Sequence, residues 1–118
     1  MRSIVLCIAG LVLAVPAMAQ TETRCGWINN PTPANWWLTD AHGEWTISVQ
    51  GLGWRSEIFD IDWQGDQDWV SFNGSYGWGC GCITGEFDPA TRWLESALSA
   101  EWLPLARCEA DPALPPQG

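Results

Sequence analysis

Tyr76-Gly77-Trp78-Gly79-Cys80-Gly81-Cys82-Ile83-Thr84 alternates with a period of two, the repeat of a β-strand. Extended in this way, Tyr76, Trp78, Cys80 and Cys82 share one face, while Gly77, Gly79 and Gly81 share the other. A face made of glycines costs backbone entropy and offers no side chain to pack. Such a face is tolerated where something lies flat against it. The expected occupant is an indole ring of this same chain, or another stretch of backbone. The cysteine face can reach two other segments at once, so this strand is expected to be the central staple point.

Working outward, Trp69-Val70-Ser71-Phe72 runs into Asn73-Gly74, the strongest short hairpin signal. Trp45, Ile47 and Val49 alternate with Thr46, Ser48 and Gln50. They follow Trp36-Trp37-Leu38-Thr39 across the connection Asp40-Ala41-His42-Gly43, which predicts another hairpin. Gly85 to Thr91 holds a turn at Asp88-Pro89. Residues 92–101 fit a helical stripe through Trp93, Leu94, Ala97 and Leu98, but a strand paired with the Tyr76 strand is preferred, with a short helix as the alternative. Pro104 ends either element. Gln20 to Arg24 reads as a polar lead-in, and Asn29 to Asn35, with Pro31 and Pro33, as a loop. The result is one mainly β domain over 20–108, an antiparallel meander of about five short strands with a Trp-rich core. A flexible Pro-rich tail over 109–118 follows, carrying Pro112, Pro115 and Pro116.

The first residues carry a compartment signal. Met1-Arg2-Ser3 is short and positive, Ile4 to Val15 is apolar, and Ala17-Met18-Ala19 supplies an A-x-A cleavage site, so 1–19 is expected to be a secretory signal peptide. The apolar run is short for a bilayer core of about 30 Å. No membrane span is expected after cleavage, and the protein is placed in a secreted or periplasmic setting. Of five cysteines, loss of Cys7 leaves Cys25, Cys80, Cys82 and Cys108, an even set that reads as a disulfide framework. A Cys80–Cys82 bond would close a very tight ring, which leaves Cys25 bonded to one of that pair and Cys108 to the other. The chain has 14 acidic and 5 basic residues, none of them lysine, for a net charge of −9, and removal of Arg2 takes this to −10. That balance excludes a nucleic-acid footprint. It leaves a cationic protein, a neutral envelope glycan or a divalent cation as partners.

Ten tryptophans in 118 residues are expected to fill core volume that aliphatic side chains normally would. Trp36 and Trp37 are adjacent, so on a strand one of them must face away from the core. Trp54 and Trp63 lie in irregular Gly- or Asp-rich segments. These four are the candidates for stacking a ligand. Asp60-Ile61-Asp62-Trp63-Gln64-Gly65-Asp66-Gln67-Asp68 is similar to the opening of a calcium loop, with Asp60, Asp62, Asp66 and Asp68 as ligands. Its twelfth position is Ser71 rather than the bidentate Glu, and no helix flanks it. His42, the only histidine, belongs to a turn and completes no nucleophilic triad. Paired carboxylates could serve a small hydrolase, but a chain this short has little room for the cleft. No catalytic residue and no cofactor is assigned, and the protein is not expected to be an enzyme.

Arg24-Cys25-Gly26-Trp27, Asn30-Pro31-Thr32-Pro33, Trp37-Leu38-Thr39-Asp40 with Gly43-Glu44-Trp45, Asn73-Gly74-Ser75-Tyr76-Gly77 with Gly79-Cys80-Gly81-Cys82, and Leu103-Pro104-Leu105 with Arg107-Cys108 and Asp111-Pro112 form one set of motifs. In these the chain resembles a small exported bacterial family, domain of unknown function 4087. The resemblance implies a bacterial, periplasmic protein with this four-cysteine pattern, and it implies no activity. The function expected from the residues is that of a non-enzymatic envelope binding or interaction protein. A glycan-binding module using exposed tryptophans, or a small hydrolase, is the alternative.

Overall fold

The computed structural model describes residues 20–117, so the expected leader, residues 1–19, and the terminal residue 118 lie outside the described residues. The Gly/Cys segment is the first part of a strand of 12 residues. In chain order the elements are β1 (Gln20–Thr32), β2 (Asn35–Asp40), β3 (Gly43–Val49), β4 (Gly53–Trp54), β5 (Trp63–Gln64), β6 (Trp69–Asn73), β7 (Tyr76–Phe87), β8 (Leu94–Leu103) and the short helix α1 (Leu105–Glu109). They build one sheet in the order β4-β3-β2-β1-β7-β8-β5, with β6 also paired to β7. All pairings are antiparallel except β5 with β8. The sheet curls until β3 meets the start of β8. There Thr46 and Trp93 form a single parallel bridge, and the Thr46 N–H donates to the Arg92 carbonyl at 2.7 Å.

The mainly β class expected from alternation is the one observed, and residues 92–101 fall almost wholly in β8, paired with β7. The strand count differs. Eight strands occur among the described residues rather than about five, for two reasons. Gln20 to Arg24, read as a lead-in, and Asn29-Asn30, read as loop, both belong to β1, which pairs with β7 from Gln20↔Phe87 to Asn30↔Gly77. Main-chain pairing along a long partner overrides the weak strand preference of polar residues and asparagine. The second reason is that β4 and β5 are two-residue strands too short to show any alternation.

Register sorts the side chains into two layers. Arg24, Gly26 and Ile28 of β1 face Ile83, Gly81 and Gly79 of β7, and Trp102, Ala100 and Leu94 of β8 face Gly81, Ile83 and Phe87. This side carries the main core of Ile28, Leu38, Trp45, Ile47, Ile58, Ile83, Phe87, Leu94, Ala97 and Ala100. The other side carries the bridges, Cys25–Cys82 and Cys80–Cys108. Loop-closure entropy for separations of 57 and 28 residues gives roughly 4 kcal/mol each. Cys80, Cys108 and Trp27 form a second, smaller core, against which Trp78, Leu103, Leu105 and Leu114 pack. The Pro-rich segment after Cys108, expected to be a loose tail, lies on this core. The Trp27 Nε1–H donates to the Pro115 carbonyl at 2.8 Å.

One end of the main core is closed by charge on aromatic surface. Arg24 lies 4.1 Å and Arg92 3.7 Å from the Trp45 ring centroid. Arg24 also pairs with Asp40 at 2.8 Å and with Glu22 at 2.8 Å. Burial pulls the Arg24 pKa down, but hydrogen bonds and charge from Asp40 and Glu22 outweigh that and hold it above its ordinary value. Asp40 is saturated, since it also accepts from the His42 N–H and from Trp45 Nε1.

Two stability predictions follow from this geometry. A Cβ on Gly79 would meet Trp69 Cε3 at 3.0 Å and Trp102 Cζ3 at 3.1 Å, whereas one on Gly77 would run into the Val70 carbonyl oxygen at 1.8 Å. Gly79→Ala should cost about 1–3 kcal/mol of unfolding free energy and Gly77→Ala more, because backbone cannot step aside as a ring edge can. Urea unfolding followed by indole emission measures both. Asp40→Ala, which strands the Arg24 guanidinium, should cost about 3 kcal/mol. A loss of only a few tenths in the same assay would show that Glu22 and solvent suffice to hold Arg24.

Candidate functional site

The glycine face of β7 is covered as its bareness requires, and its cover begins a chain of aromatic rings. Trp69 pairs with Gly79 and Trp102 with Gly81, so these two glycines have a bulky partner directly across the sheet, whereas Gly77 pairs with Ser71. From these two rings a ladder runs in both directions. Trp102 stacks on Trp63 with centroids 4.3 Å apart, and Trp69 meets Trp102 edge-on at 5.9 Å. Trp69 continues to Trp36 at 6.0 Å, Trp36 to Phe59 at 5.7 Å, and Phe59 to Trp54 at 5.1 Å.

The ladder is graded in exposure. Trp36, Trp63 and Trp102 are half-buried and pack against the main core, whereas Phe59 is 43% and Trp54 53% exposed at the far end. Leu52, two residues before Trp54, is 76% exposed. Two hydrogen bonds fix the rungs, from Trp63 Nε1–H to the Ile58 carbonyl at 3.1 Å and from Trp69 Nε1–H to the Ser75 carbonyl at 3.2 Å. At the base of the neighbouring segment, Arg55 pairs with Glu95 and covers the Trp93 ring at 4.2 Å.

Of the four tryptophans singled out from sequence, the structure brings Trp36, Trp54 and Trp63 onto this one ladder. Trp37 is half-buried and pairs with Asn29, on the same side of the sheet as the disulfides. Three rungs were not foreseen, namely Trp69, Trp102 and Phe59. The signal for the first two was present in the glycines, since a strand with a bare face needs large residues on its neighbours. Phe59 sits in an irregular turn with no pattern to mark it.

The aspartates of the acidic segment behave differently. Among the described residues, no group of three or more His, Cys, Asp or Glu side chains gathers to hold a metal ion. Asp60, Asp62, Asp66 and Asp68 are all exposed along the segment. Asp68 is engaged elsewhere, accepting the Leu105 N–H at 2.9 Å and so tying the acidic segment to α1. His42 is exposed at the β2–β3 turn, and its carbonyl accepts from Arg92 Nη2 at 2.8 Å.

Fold and site together define a small, doubly cross-linked, mainly β protein with a ladder of rings along one face. The chain belongs to the family described as Protein of unknown function (DUF4087), whose model matches residues 19–115. No curated protein and no solved structure matches it. Two disulfides point to an oxidising compartment. No described helix is long and apolar enough to cross a membrane.

The exposure gradient separates rungs packed on the core from rungs open to solvent. Trp102→Ala, which opens the space beside Gly79 and removes the ring stacked on Trp63, should cost about 3–5 kcal/mol in denaturant unfolding. Trp54→Ala should cost under about 1 kcal/mol in the same measurement, since half of the ring is already in water.

Proposed function

We propose that the protein is a non-catalytic binding protein of an oxidising cell-envelope or extracellular space, and that the open end of the aromatic ladder is its binding face for a neutral glycan chain. The supporting observation is the graded ladder itself. Rigid rings emerge in sequence from the core to solvent, ending in Phe59 and Trp54, 43% and 53% exposed. Exposed aromatic surface of this kind, held in place from below, marks a binding groove more often than a defect of packing. The C–H faces of sugar rings pack on indole faces, and such contact needs no charge on the ligand. Carboxylates of Asp60 and Asp62, both exposed on the segment that carries Phe59, are suited to accept sugar hydroxyls. The net charge of −9 disfavours phosphate-rich alternatives.

Catalysis is not part of this reading. The most buried carboxylate, Asp40, and its neighbour Glu22 are both committed to Arg24. A general acid or base must instead be available to a substrate.

The test uses indole emission of the purified protein titrated with three neutral glycans, chitohexaose, cellohexaose and laminarihexaose. A saturable change with at least one of them is expected, weakened about tenfold or more in Trp54→Ala and Phe59→Ala while unfolding midpoints stay near that of the parent. Flat titrations with all three, or binding that survives both substitutions, would reject the glycan reading of this face.

A further inference from the structure

On the opposite side of the sheet the chain holds its own proline-rich end in an aromatic groove. Trp27, only 2% exposed, donates its Nε1–H to the Pro115 carbonyl at 2.8 Å. Leu114 packs on the small core formed with Cys80 and Cys108. Beside the seated segment an open cavity of about 380 Å³ remains, walled by Trp27, Trp78 and Val70 on one side and by Pro112, Pro115 and Pro116 on the other. Phe72, 57% exposed, stacks on Trp78 at 6.2 Å and prolongs the wall into solvent.

We infer that this groove is a docking site for an extended, proline-containing peptide segment of another protein, occupied in cis by Leu114-Pro115-Pro116. The chemistry is that of proline recognition. Proline rings are compact and apolar, they lose little conformational freedom on binding, and the carbonyls between them are free to accept from an indole N–H. The chain's own segment meets each of these terms, so it shows what kind of ligand the groove accepts. Its attachment is also light. It lies beyond Cys108 and outside every strand, and its release breaks no sheet hydrogen bond. Glu109 and Asp111, both exposed, line the same cavity and favour a ligand with basic residues next to its prolines. The site is separate from the aromatic ladder and does not depend on the glycan reading.

Tethering sets how the groove responds. An occupant held a few residues away competes at an effective concentration of about millimolar, so a tail with an intrinsic Kd near ~100 μM weakens the binding of any free peptide about tenfold relative to a chain whose tail is released. The groove is thus self-blocked, and it opens only to a ligand better than its own tail.

The experiment uses the full chain and the synthetic peptide Ala-Leu-Pro-Pro-Arg-Arg. The Trp27 indole N–H resonance, identified by its loss in Trp27→Phe, reports on the groove. The double variant Pro115→Gly/Pro116→Gly should bind the peptide about tenfold or more tightly than the parent chain and should shift the Trp27 resonance. Trp78→Ala in that background should abolish the effect. Leu114→Ser, which loosens the tail at another point, should act in the same direction as the proline variant. With the Cys80–Cys108 bridge and the near-ultraviolet dichroism intact, absence of saturable binding in both loosened variants overturns the inference. Equal affinity for parent and variants overturns it as well, because only one of them has an occupant to displace. Binding that leaves the Trp27 resonance unmoved places the peptide elsewhere on the acidic surface and likewise ends the proposal.

Discussion

The bare face of β7 is the constraint from which the rest of the molecule can be reasoned. Strands on either side approach a backbone that carries no side chains at Gly77, Gly79 and Gly81, and the approach is close. The Val70 and Glu101 carbonyl oxygens lie where a Cβ on Gly77 or Gly81 would be. Space that a central strand normally fills must then be filled from its neighbours. Large side chains fill it, the indoles of Trp69 and Trp102 beside Gly79, and Ile28 with the Trp63 indole beside Gly81. The tryptophan content of the chain is therefore tied to its glycine pattern, each being of little use without the other.

A domain of this size gains too little from burial alone to be secure, and its cross-links fall where burial is thinnest. Cys25–Cys82 joins β1 to β7 directly across the sheet, and Cys80–Cys108 brings α1 down onto the same strand. Both leave from the face opposite the glycines, where the second core is small. At the far end of the main core a different solution operates. Two guanidinium groups cover Trp45, and Arg92 also reaches the His42 and Glu44 carbonyls, holding the β2–β3 hairpin against the start of β8. Arginine suits this task because its planar cation packs on a ring while its N–H groups satisfy carbonyls.

What could be read beforehand follows from what each device writes into the sequence. Alternation writes strongly, so β3, β6 and β7, with the Asn73-Gly74 turn, were legible. The preference for a strand at 92–101 was settled by β7, which supplies the partner that a helix would have left unpaired. Pairing alone writes weakly. Gln20 to Arg24 and Asn29-Asn30 have no strand character of their own, and only the length of β7 recruits them. The ladder was half legible. Trp36, Trp54 and Trp63 could be marked, but the rungs joining them depend on register across three strands, which composition does not encode. The pairing of the four cysteines was open for the same reason. Only β1–β7 register puts Cys25 opposite Cys82 rather than Cys80.

On the proposed binding reading, one set of rings would serve stability and recognition without conflict. Rings over Gly79 and Gly81 are locked by contact on several sides, so they lose no freedom when something binds near them. Each further rung has fewer neighbours, until Trp54 touches the ladder through Phe59 alone. A ligand arriving at the open end meets side chains whose orientation is already set by the rungs beneath, and less entropy is lost on binding than at a loop of free tryptophans. On the proposed binding reading, a substitution that loosens the buried rungs under Trp102 would also weaken affinity at the open end, although no ligand would touch a glycine.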